Sequence, residues 1–276
     1  MSKQSFSRTA WRLIVTKPAD GATNMAVDQA IAEAVVAGDE LPTLRFYSWR
    51  PACVSLGQSQ SADLLDLNRC AALGWHIVRR TTGGRTVLHA NELTYSIAAP
   101  QDEPRVKGGV LASYQQLSLG LQAGLAMAGL LPKRSADGNS TSSSDDPACF
   151  NVASAYELLV NGKKLIGSAQ MRSRGLVLQH GSIPLAGDIG RLADGLDLPE
   201  RDREQLRQRL SQQATTVAAA AGQVINSAEM IRHLTNGFAS ALNLDFVPSQ
   251  LTTAEQARAA QIRAEKFANI AWTYRK

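Results

Sequence analysis

An Asn-Gly pair between two strand-like runs is the feature that most constrains the fold. Asn161-Gly162 separates YELLV from KKLIGSA, and this dipeptide favours the two-residue turn of a β-hairpin. The run LVLQHGSI follows after a short gap, which predicts three consecutive strands in a largely antiparallel sheet. Further strands are predicted at 11–16, 43–49, 52–57, 75–80, 86–89 and 92–99.

Helices are predicted between and after these strands. Apolar residues spaced three to four apart predict a helix over 106–128, and Asn24 is placed to cap a helix over 25–37. Further helices are predicted at 63–73, 228–242 and 253–267. The order lacks the repeating βαβ rhythm of a parallel sheet. It therefore predicts an α+β fold, a mixed, largely antiparallel sheet packed with helices.

Charge and hydropathy exclude several classes of protein. The chain has 29 basic and 24 acidic residues, a net charge of +5, and only 5% of its residues are aromatic, so a nucleic-acid partner is not expected. The first ten residues contain no apolar signal-peptide core, and the most apolar stretch, 119–131, is too short to span a bilayer. We therefore expect a cytoplasmic protein with no membrane partner.

The three cysteines differ in their surroundings. Cys53 lies in an apolar strand-like run and Cys70 in a short helix, so both are expected to be packed. Cys149 follows the polar segment 135–147, which we expect to be mobile, and an accessible thiolate there could act as a nucleophile. From the residues alone, a small buried side chain is the more common role for a lone cysteine. No CxxC spacing occurs, so neither a zinc site nor a disulfide framework is predicted.

The segment RRTTGGRTVLH, residues 79–89, is a second candidate for chemistry. Its adjacent glycines let the backbone approach a ligand, and exposed N–H groups in such a turn can hold an anion or a carbonyl. Its three arginines would add positive charge. A hairpin turn with surface arginines explains the same residues, so both interpretations stay open here.

Two lysines and two histidines complete the candidates. Strand alternation turns Lys163 and Lys164 to opposite faces, so one of them can point inward beside the small residues that follow. The alternative is two solvated lysines at a hairpin tip. His89 and His180 both stand at predicted strand ends, where a histidine can serve as a site residue or as a structural group.

Together these segments resemble the lipoate–protein ligase and octanoyltransferase group of the biotin/lipoyl ligase superfamily. Ligases of this group carry an RRxxGGG turn followed by a histidine, and later KxxGxA. Here RRTTGGR at 79–85 is followed by His89, and KLIGSA stands at 164–169. The resemblance runs from about residue 11 to 276. It implies one catalytic unit, 1–276, with a core at about 38–246 and a C-terminal helix at about 247–276.

Two departures from the ligase pattern point to one branch of the group. Arg85 replaces the third glycine of the turn, and Ala148-Cys149-Phe150 stands where ligases show an Asn-Asp pair linked to nucleotide and metal handling. Both features are similar to the octanoyl-carrier-protein:protein N-octanoyltransferases of some Gram-positive bacteria, which use a cysteine thioester and no ATP.

That resemblance implies a mechanism and its residues. Cys149 would carry the octanoyl group, and Lys164 would favour its thiolate and help hold the thioester carbonyl. No cofactor and no metal are implied. The residues implied to bind the substrate are Arg79, Arg80, Thr82, Gly83, Gly84, Arg85, His89, Gly167, Ser168, Ala169 and His180.

The implied reaction belongs to lipoate biosynthesis. The donor would be octanoyl-acyl carrier protein, and the acceptor a lysine of a lipoyl domain, such as glycine cleavage H protein or the E2 subunit of a 2-oxoacid dehydrogenase. Three alternatives remain: an ATP-dependent lipoate–protein ligase, an amidotransferase that moves octanoyl between lipoyl proteins, and a non-catalytic acyl- or cofactor-binding protein on the same scaffold.

Overall fold

A computed structural model describes residues 6–134 and 157–275 of the chain. The strands of this part are β1 (Thr9–Val15), β2 (Thr43–Tyr47), β3 (Cys53–Leu56), β4 (His76–Arg79), β5 (Val87–His89), β6 (Glu92–Pro100), β7 (Pro132–Arg134), β8 (Leu158–Val160), β9 (Lys163–Ser173), β10 (Leu176–Pro184) and β11 (Leu244–Ser249). Eight of them form one sheet in the order β11-β1-β2-β6-β10-β9-β8-β7. Strand β1 pairs in parallel with β2 and β11, and the other neighbours are antiparallel.

Helices pack on both faces of this sheet and against a second, smaller sheet. They are α1 (Gly21–Ala37), α2 (Leu67–Ala72), α3 (Val110–Met127), α4 (Glu200–Gln213), α5 (Val217–Ala221), α6 (Ser227–Leu242), α7 (Thr253–Ile262) and α8 (Ile270–Thr273). Helices α3 and α6 pack on one face through Leu121 and Phe238, beside Ile97 of β6. Helices α1 and α7 pack on the other face through residues such as Ile31 and Ile262.

Glycines set the close approach of α3 and α6. A Cβ atom at Gly124 would lie 2.7 Å from the Leu234 Cα, and one at Gly237 would lie 2.2 Å from the Gly124 backbone nitrogen. Both contacts are with backbone, so a larger residue would force the helices apart. The two helices therefore lie close against each other.

A second sheet of three strands, in the order β4-β3-β5, carries the Gly-Gly segment. Strand β3 pairs in parallel with β4 and antiparallel with β5. Its apolar side chains, among them Val54 and Leu56, pack with Leu206 and Leu210 of α4. Because β4 and β5 flank β3, the chain between them, residues 80–86, crosses one end of this small sheet.

The predicted element bounds need several corrections. Helix α1 begins at Gly21, because the Asp20 carboxylate accepts a hydrogen bond from the Thr23 backbone N–H at 2.9 Å and so caps the helix. Asn24 lies inside α1, and its amide donates to the Ala19 and Ser48 carbonyls at 3.1 and 3.0 Å. Helix α3 begins at Val110 rather than 106, because the positive φ of Gly108, 96°, interrupts the helix.

Other bounds differ at the C-terminal side of the chain. The predicted helix over 253–267 is α-helical only to Ile262 and continues as a π-helical turn over Arg263–Phe267. Strands β7 and β11 were not predicted. The predicted mobile segment, 135–147, lies outside the described residues. In the described ranges, no helix is both long enough and apolar enough to cross a membrane.

Candidate active site

A cavity lies between the small sheet and the centre of the main sheet. Its empty volume is about 440 Å³, part of it open to solvent, and most of its lining is apolar. The residues predicted from the sequence that line it are Arg80, Gly84, His89, Gly167, Ser168, Ala169 and His180. The small residues of β9 therefore face the Gly-Gly segment across this space.

Arg80 organises the Gly-Gly segment from within. It is almost fully buried, and its guanidinium donates to the Gly83 and Arg85 carbonyls at 2.9 and 2.7 Å. It also donates to the Ser55 carbonyl at 2.9 Å and to the Ser55 hydroxyl at 3.0 Å. One rigid cation thus ties the turn to β3, and it fixes the shape of the cavity rim.

The turn also lies directly against the loop after β3. A Cβ atom at Gly57 would lie 1.9 Å from the Gly84 carbonyl oxygen, and Gly84 has a φ of 88°. Only glycine permits this approach at position 57, and position 84 requires the left-handed backbone that glycine adopts readily. Gly57 and Gly84 together therefore allow the turn to pack directly against the loop after β3.

His89 is held between a hydroxyl, a carboxylate and an aromatic ring. Its Nε2 lies 2.8 Å from the Ser55 Oγ, and its Nδ1 lies 3.3 Å from Glu92 Oε2 without the geometry of a hydrogen bond. Because Arg80 already donates to the Ser55 Oγ, the Ser55 proton is available to His89 Nε2. The imidazole stacks on Trp49 with ring centroids 3.9 Å apart.

Glu92 is a buried acceptor behind His89. The Thr94 hydroxyl donates to its Oε1 at 2.6 Å, and the Ser182 hydroxyl donates to its Oε2. The Trp49 indole N–H donates to the Thr94 Oγ1 at 2.8 Å. These bonds fix the carboxylate and the Trp49 ring, and the three residues Trp49, Thr94 and Ser182 all line the cavity.

His180 has a similar arrangement on the opposite wall. Its Nε2 lies 2.7 Å from the Thr82 Oγ1, and its Nδ1 lies 3.7 Å from Asp28 Oδ2. Burial lowers the pKa of His180, and the nearby Arg80 and His89 act in the same direction, while Asp28 opposes them. His180 is therefore neutral at neutral pH.

Asp28 is the buried centre of a polar network under this wall. Its carboxylate accepts hydrogen bonds from Arg45 at 2.7 Å, from the Tyr47 hydroxyl at 2.8 Å and from the Ser96 hydroxyl at 2.7 Å. Burial alone would raise the pKa of Asp28, but the Arg45 guanidinium, the nearby His180 and the Ser96 hydroxyl hold it below its ordinary value. The carboxylate stays ionised and fixes the position of Tyr47.

Lys164 is buried and paired. Its ammonium donates to the Glu157 carboxylate, and only 1% of its side chain is exposed. Lys163 points the other way, where its ammonium donates to the Ser211 carbonyl at 2.9 Å near the surface. Strand β9 therefore shows the predicted alternation, with Lys164 pointing inward and Lys163 outward. Lys164 does not line the cavity.

The comparisons with known proteins agree with one another. The profile of the lipoyl protein ligase A/B catalytic domain matches residues 20–239. An octanoyltransferase LipM of Symbiobacterium thermophilum is 42% identical over 275 residues, which cover 97% of this chain and 99% of that protein. The chain belongs to the lipoyl protein ligase A/B family. Within the family it falls with the octanoyltransferases, which are acyltransferases.

Further comparisons support the family and its fold. An octanoyltransferase LipM of Brevibacillus brevis is 39% identical over 277 residues, 96% of this chain and 99% of that protein. The solved bipartite lipoate protein ligase of Thermoplasma acidophilum superposes with a TM-score of 0.82 at 22% identity, over 97% of each chain. The shared architecture confirms the predicted α+β class with its mixed, largely antiparallel sheet.

The remaining members of the family's turn lie around the cavity rather than in its wall. Arg79 is buried, and its guanidinium donates to the Thr273 and Arg275 carbonyls at 3.1 and 2.8 Å and to the Gly57 carbonyl at 3.0 Å. It therefore joins the C-terminal residues to the loop under the turn. Arg85 is half-buried and contributes its carbonyl to Arg80.

The cysteines of this octanoyltransferase-family chain divide into two groups. Cys53 and Cys70 are fully buried, as predicted, and burial raises the pKa of both thiols, that of Cys70 to about 11. Cys149 lies outside the described residues. Among residues 6–134 and 157–275, no group of three or more His, Cys, Asp or Glu side chains is arranged to hold a metal ion.

Sequence reasoning missed the acidic residues behind the two histidines. Asp28 follows Met25 by three residues and precedes Ile31 by three, so it falls on the apolar stripe that α1 buries. An acidic residue on such a stripe signals a buried charge with a partner, because an unpaired one is too costly to bury. Glu92 had no comparable signal, because it alternates with Thr94 and Ser96 on what the sequence shows as the polar face of β6, and only the structure shows that this face is buried too.

Proposed function

We propose that this octanoyltransferase takes octanoyl from an acyl carrier protein and passes it to a lysine of a lipoyl domain, through a thioester on Cys149. The acceptor is a lipoyl-domain protein such as glycine cleavage H protein or an E2 subunit. The observation that carries the proposal is identity of about 40% to octanoyltransferases over nearly the whole chain. The apolar cavity supports it, because an eight-carbon chain requires a water-excluding wall.

The first half-reaction exchanges one thioester for another. The Cys149 thiolate attacks the carbonyl carbon of the donor thioester, and the carbonyl electron pair moves onto the oxygen. When the C=O bond reforms, the bond to the donor sulfur breaks and the carrier leaves as a thiolate. No energy-rich cosubstrate is consumed, since a thioester is replaced by a thioester.

The second half-reaction forms an amide. The neutral amine of the acceptor lysine attacks the Cys149 thioester, the oxygen again takes the electron pair, and the amine gives up one proton to the surroundings. The C–S bond breaks and returns the Cys149 thiolate. Splitting the transfer in this way gives ping-pong kinetics.

Lys164 is assigned the electrostatic role. Its ammonium is proposed to favour the thiolate of Cys149 and to interact with the negative oxygen of the intermediate. The Glu157 carboxylate, bonded to the same ammonium, would orient it and offset part of its charge. The Gly83-Gly84 turn, of which Gly84 lines the cavity, and the small residues Gly167 and Ala169 are proposed to enclose the acyl chain.

Intact-mass spectrometry tests the proposal. The enzyme is mixed with octanoyl-carrier protein alone, and one octanoyl group, labile to hydroxylamine and mapped to Cys149, is the expected product. Addition of a lipoyl domain should discharge it to the acceptor lysine. Cys149→Ser should prevent turnover, whereas Cys70→Ser serves as the matched thiol control.

Each alternative function predicts a different outcome of this experiment. Transfer that requires free octanoate or lipoate with ATP and Mg²⁺ would identify a ligase. Loading of the enzyme only from an octanoylated lipoyl domain would identify an amidotransferase. Retention of an acyl group or cofactor without any transfer would identify a binding protein.

A further inference from the structure

The Gly-Gly turn lies at the end of the small sheet that is away from its connections to the main sheet. The chain crosses from the main sheet to the small one between β2 and β3, and it returns between β5 and β6. Cys53 pairs with His89, so the two crossings lie side by side at one end of the small sheet. Gly57 follows the other end of β3 and lies against Gly84. Neither crossing therefore fixes the position of the turn over the main sheet.

Thr82 joins this turn to the main sheet. Its Oγ1 lies 2.7 Å from the Nε2 of His180, which is carried by β10, a central strand of the main sheet. The partner of His180 on β9 is Ala169, and a Cβ atom at Gly84 would lie 3.8 Å from the Ala169 Cβ. The turn thus lies over two neighbouring strands and hydrogen-bonds one of them.

The contact is on the cavity side of the main sheet. His180 and Ala169 both line the cavity, and the register places Ser96 of β6 beside His180 on the same face. The Ser96 hydroxyl donates to Asp28 at 2.7 Å, so this is the face that α1 covers. Thr82 is buried and does not line the cavity, but it bonds a residue that does.

The Asp28 carboxylate sets the direction of this hydrogen bond. Because His180 is neutral, one ring nitrogen carries the proton and the other accepts. The Nδ1 of His180 lies 3.7 Å from Asp28 Oδ2, which is too long for a hydrogen bond, but the negative charge favours the tautomer with the proton on Nδ1. The Nε2 atom then accepts, and the Thr82 hydroxyl donates to it.

The backbone of the turn is tied to the small sheet. The Gln58 N–H donates to the Thr82 carbonyl at 2.9 Å, and the Arg80 guanidinium donates to the Gly83 carbonyl at 2.9 Å. These bonds stay within the small sheet and its loops, whereas the Thr82 side chain reaches the main sheet. A displacement of Thr82 would therefore carry Gly83 and Gly84 with it.

We propose that Thr82 and His180 are positioning residues that hold the Gly83-Gly84 turn over the cavity while the acyl chain is bound, a role that rests on the acyl-transfer function above. The Thr82 hydroxyl donates to His180, and the turn stays against Ala169. Without that hydroxyl the turn is open for part of the time. Binding of the acyl donor must then close the turn first, which weakens the apparent affinity.

The kinetic test removes the hydroxyl and keeps the branched shape of the side chain. Thr82→Val should raise the KM for octanoyl-carrier protein by about 5-fold, the factor that corresponds to one neutral hydrogen bond, and should change kcat less. Thr82→Ser keeps a hydroxyl and should restore most of the wild-type KM. Thr81→Val is the matched control, because it removes the neighbouring hydroxyl and leaves the contact with His180 in place.

A double-mutant cycle tests whether Thr82 and His180 act through each other. His180→Leu removes the acceptor, so Thr82→Val should raise KM no further in that background. Additive effects of the two substitutions would contradict the proposed contact.

A labelling test needs no turnover. Diethyl pyrocarbonate modifies neutral imidazoles: a ring nitrogen bonds to a carbonyl carbon of the reagent, and ethanol and carbon dioxide leave with the ring proton. His180 should react about 5-fold faster in Thr82→Val than in wild type, Thr82→Ser or Thr81→Val, as measured by peptide mapping. The exposed His76 is the internal reference and should react equally in all four proteins. Equal rates at His180 in wild type and Thr82→Val would overturn the inference.

The two proposals fail in different ways. A wild-type enzyme that does not transfer octanoyl from the carrier protein contradicts the proposed function, and the labelling rates then still decide whether Thr82 holds the turn closed. An active wild type whose His180 is labelled no faster in Thr82→Val contradicts the positioning role alone. Unfolding midpoints in urea separate a local opening of the turn from a general loss of folded protein.

Discussion

Lys164 at the start of β9 and Glu157, just before β8, form a buried ion pair. Side-chain exposure is 1% for the lysine and 7% for the glutamate. A pair in such a place contributes little net stability, but removal of one partner leaves a charge in a poorly solvated site. The pair therefore links a proposed catalytic group to the stability of the sheet.

Lys164→Met should destabilise the fold by about 3–5 kcal/mol, because it removes the ammonium from a buried carboxylate. The double variant Lys164→Met/Glu157→Gln should recover most of that loss, since no charge remains to be buried. Urea unfolding measures both. Lys163→Met, whose ammonium lies at the surface, should change the free energy of unfolding by less than about 0.5 kcal/mol.

The same variants test the proposed electrostatic role. Glu157→Gln and the double variant differ only at position 164, where the double variant lacks the ammonium group. The double variant should need a higher pH for half-maximal alkylation of Cys149 and should be acylated more slowly, because the cation that favours the thiolate is gone. Identical alkylation profiles would exclude Lys164 as the tuning group.

Alkylation should distinguish the three thiols. Burial raises the pKa of Cys70 to about 11 and that of Cys53 still further, so at pH 7.5 neither forms much thiolate and neither is accessible. Iodoacetamide should therefore label Cys149 alone in the folded enzyme and all three thiols in urea. Peptide mapping reads this out, and rapid labelling of Cys53 under native conditions would contradict the structure.

Gly57→Ala should disturb the turn that borders the cavity. The new Cβ atom would meet the Gly84 carbonyl oxygen, which is backbone and cannot rotate away. We expect a loss of about 1–3 kcal/mol in stability and a marked loss of transfer activity. Gly83→Ala is the control for stability, because its Cβ would enter open space; an equal destabilisation by both would show that the contact at 57 is unimportant.

The pH dependence of stability should carry a contribution from His180. Burial lowers the pKa of His180 in the folded state, so the unfolded chain binds the proton more tightly. The stability that neutral His180 provides is present above its ordinary pKa of about 6.5 and is lost as the pH falls below it. His180→Gln should flatten the decline between pH 7 and pH 5, as measured by urea midpoints across that range.

Sequence patterns predicted those features that depend only on neighbouring residues. Alternation along KKLIGSA separated Lys163 from Lys164, because the period of a strand is fixed by the backbone. Adjacent glycines predicted a turn that can adopt a positive φ, and Gly84 has one; that this turn binds a ligand stays a prediction. Whether Cys149 is the nucleophile stays a prediction.

Features that depend on contacts between residues far apart in the chain could not be predicted from the sequence. Nothing in the sequence near Arg79 and Arg80 indicates their different partners. The Arg79 guanidinium bonds the Arg275 carbonyl, 196 residues away, whereas the Arg80 guanidinium bonds the carbonyl of Gly83. The same holds for β11, a short edge strand with Pro248, which exists because β1 offers it a parallel partner. The Tyr95 and Ser168 hydroxyls lie 2.7 Å apart across β10, a contact that follows from the strand order and not from the sequence.

Arg79 makes the loop under the Gly-Gly turn depend on residues up to 196 positions further along the chain. Its guanidinium joins the Gly57 carbonyl to the carbonyls of Thr273 and Arg275. Displacement of residues 273–275 would therefore loosen one corner of the cavity through a single guanidinium, although none of these residues lines it.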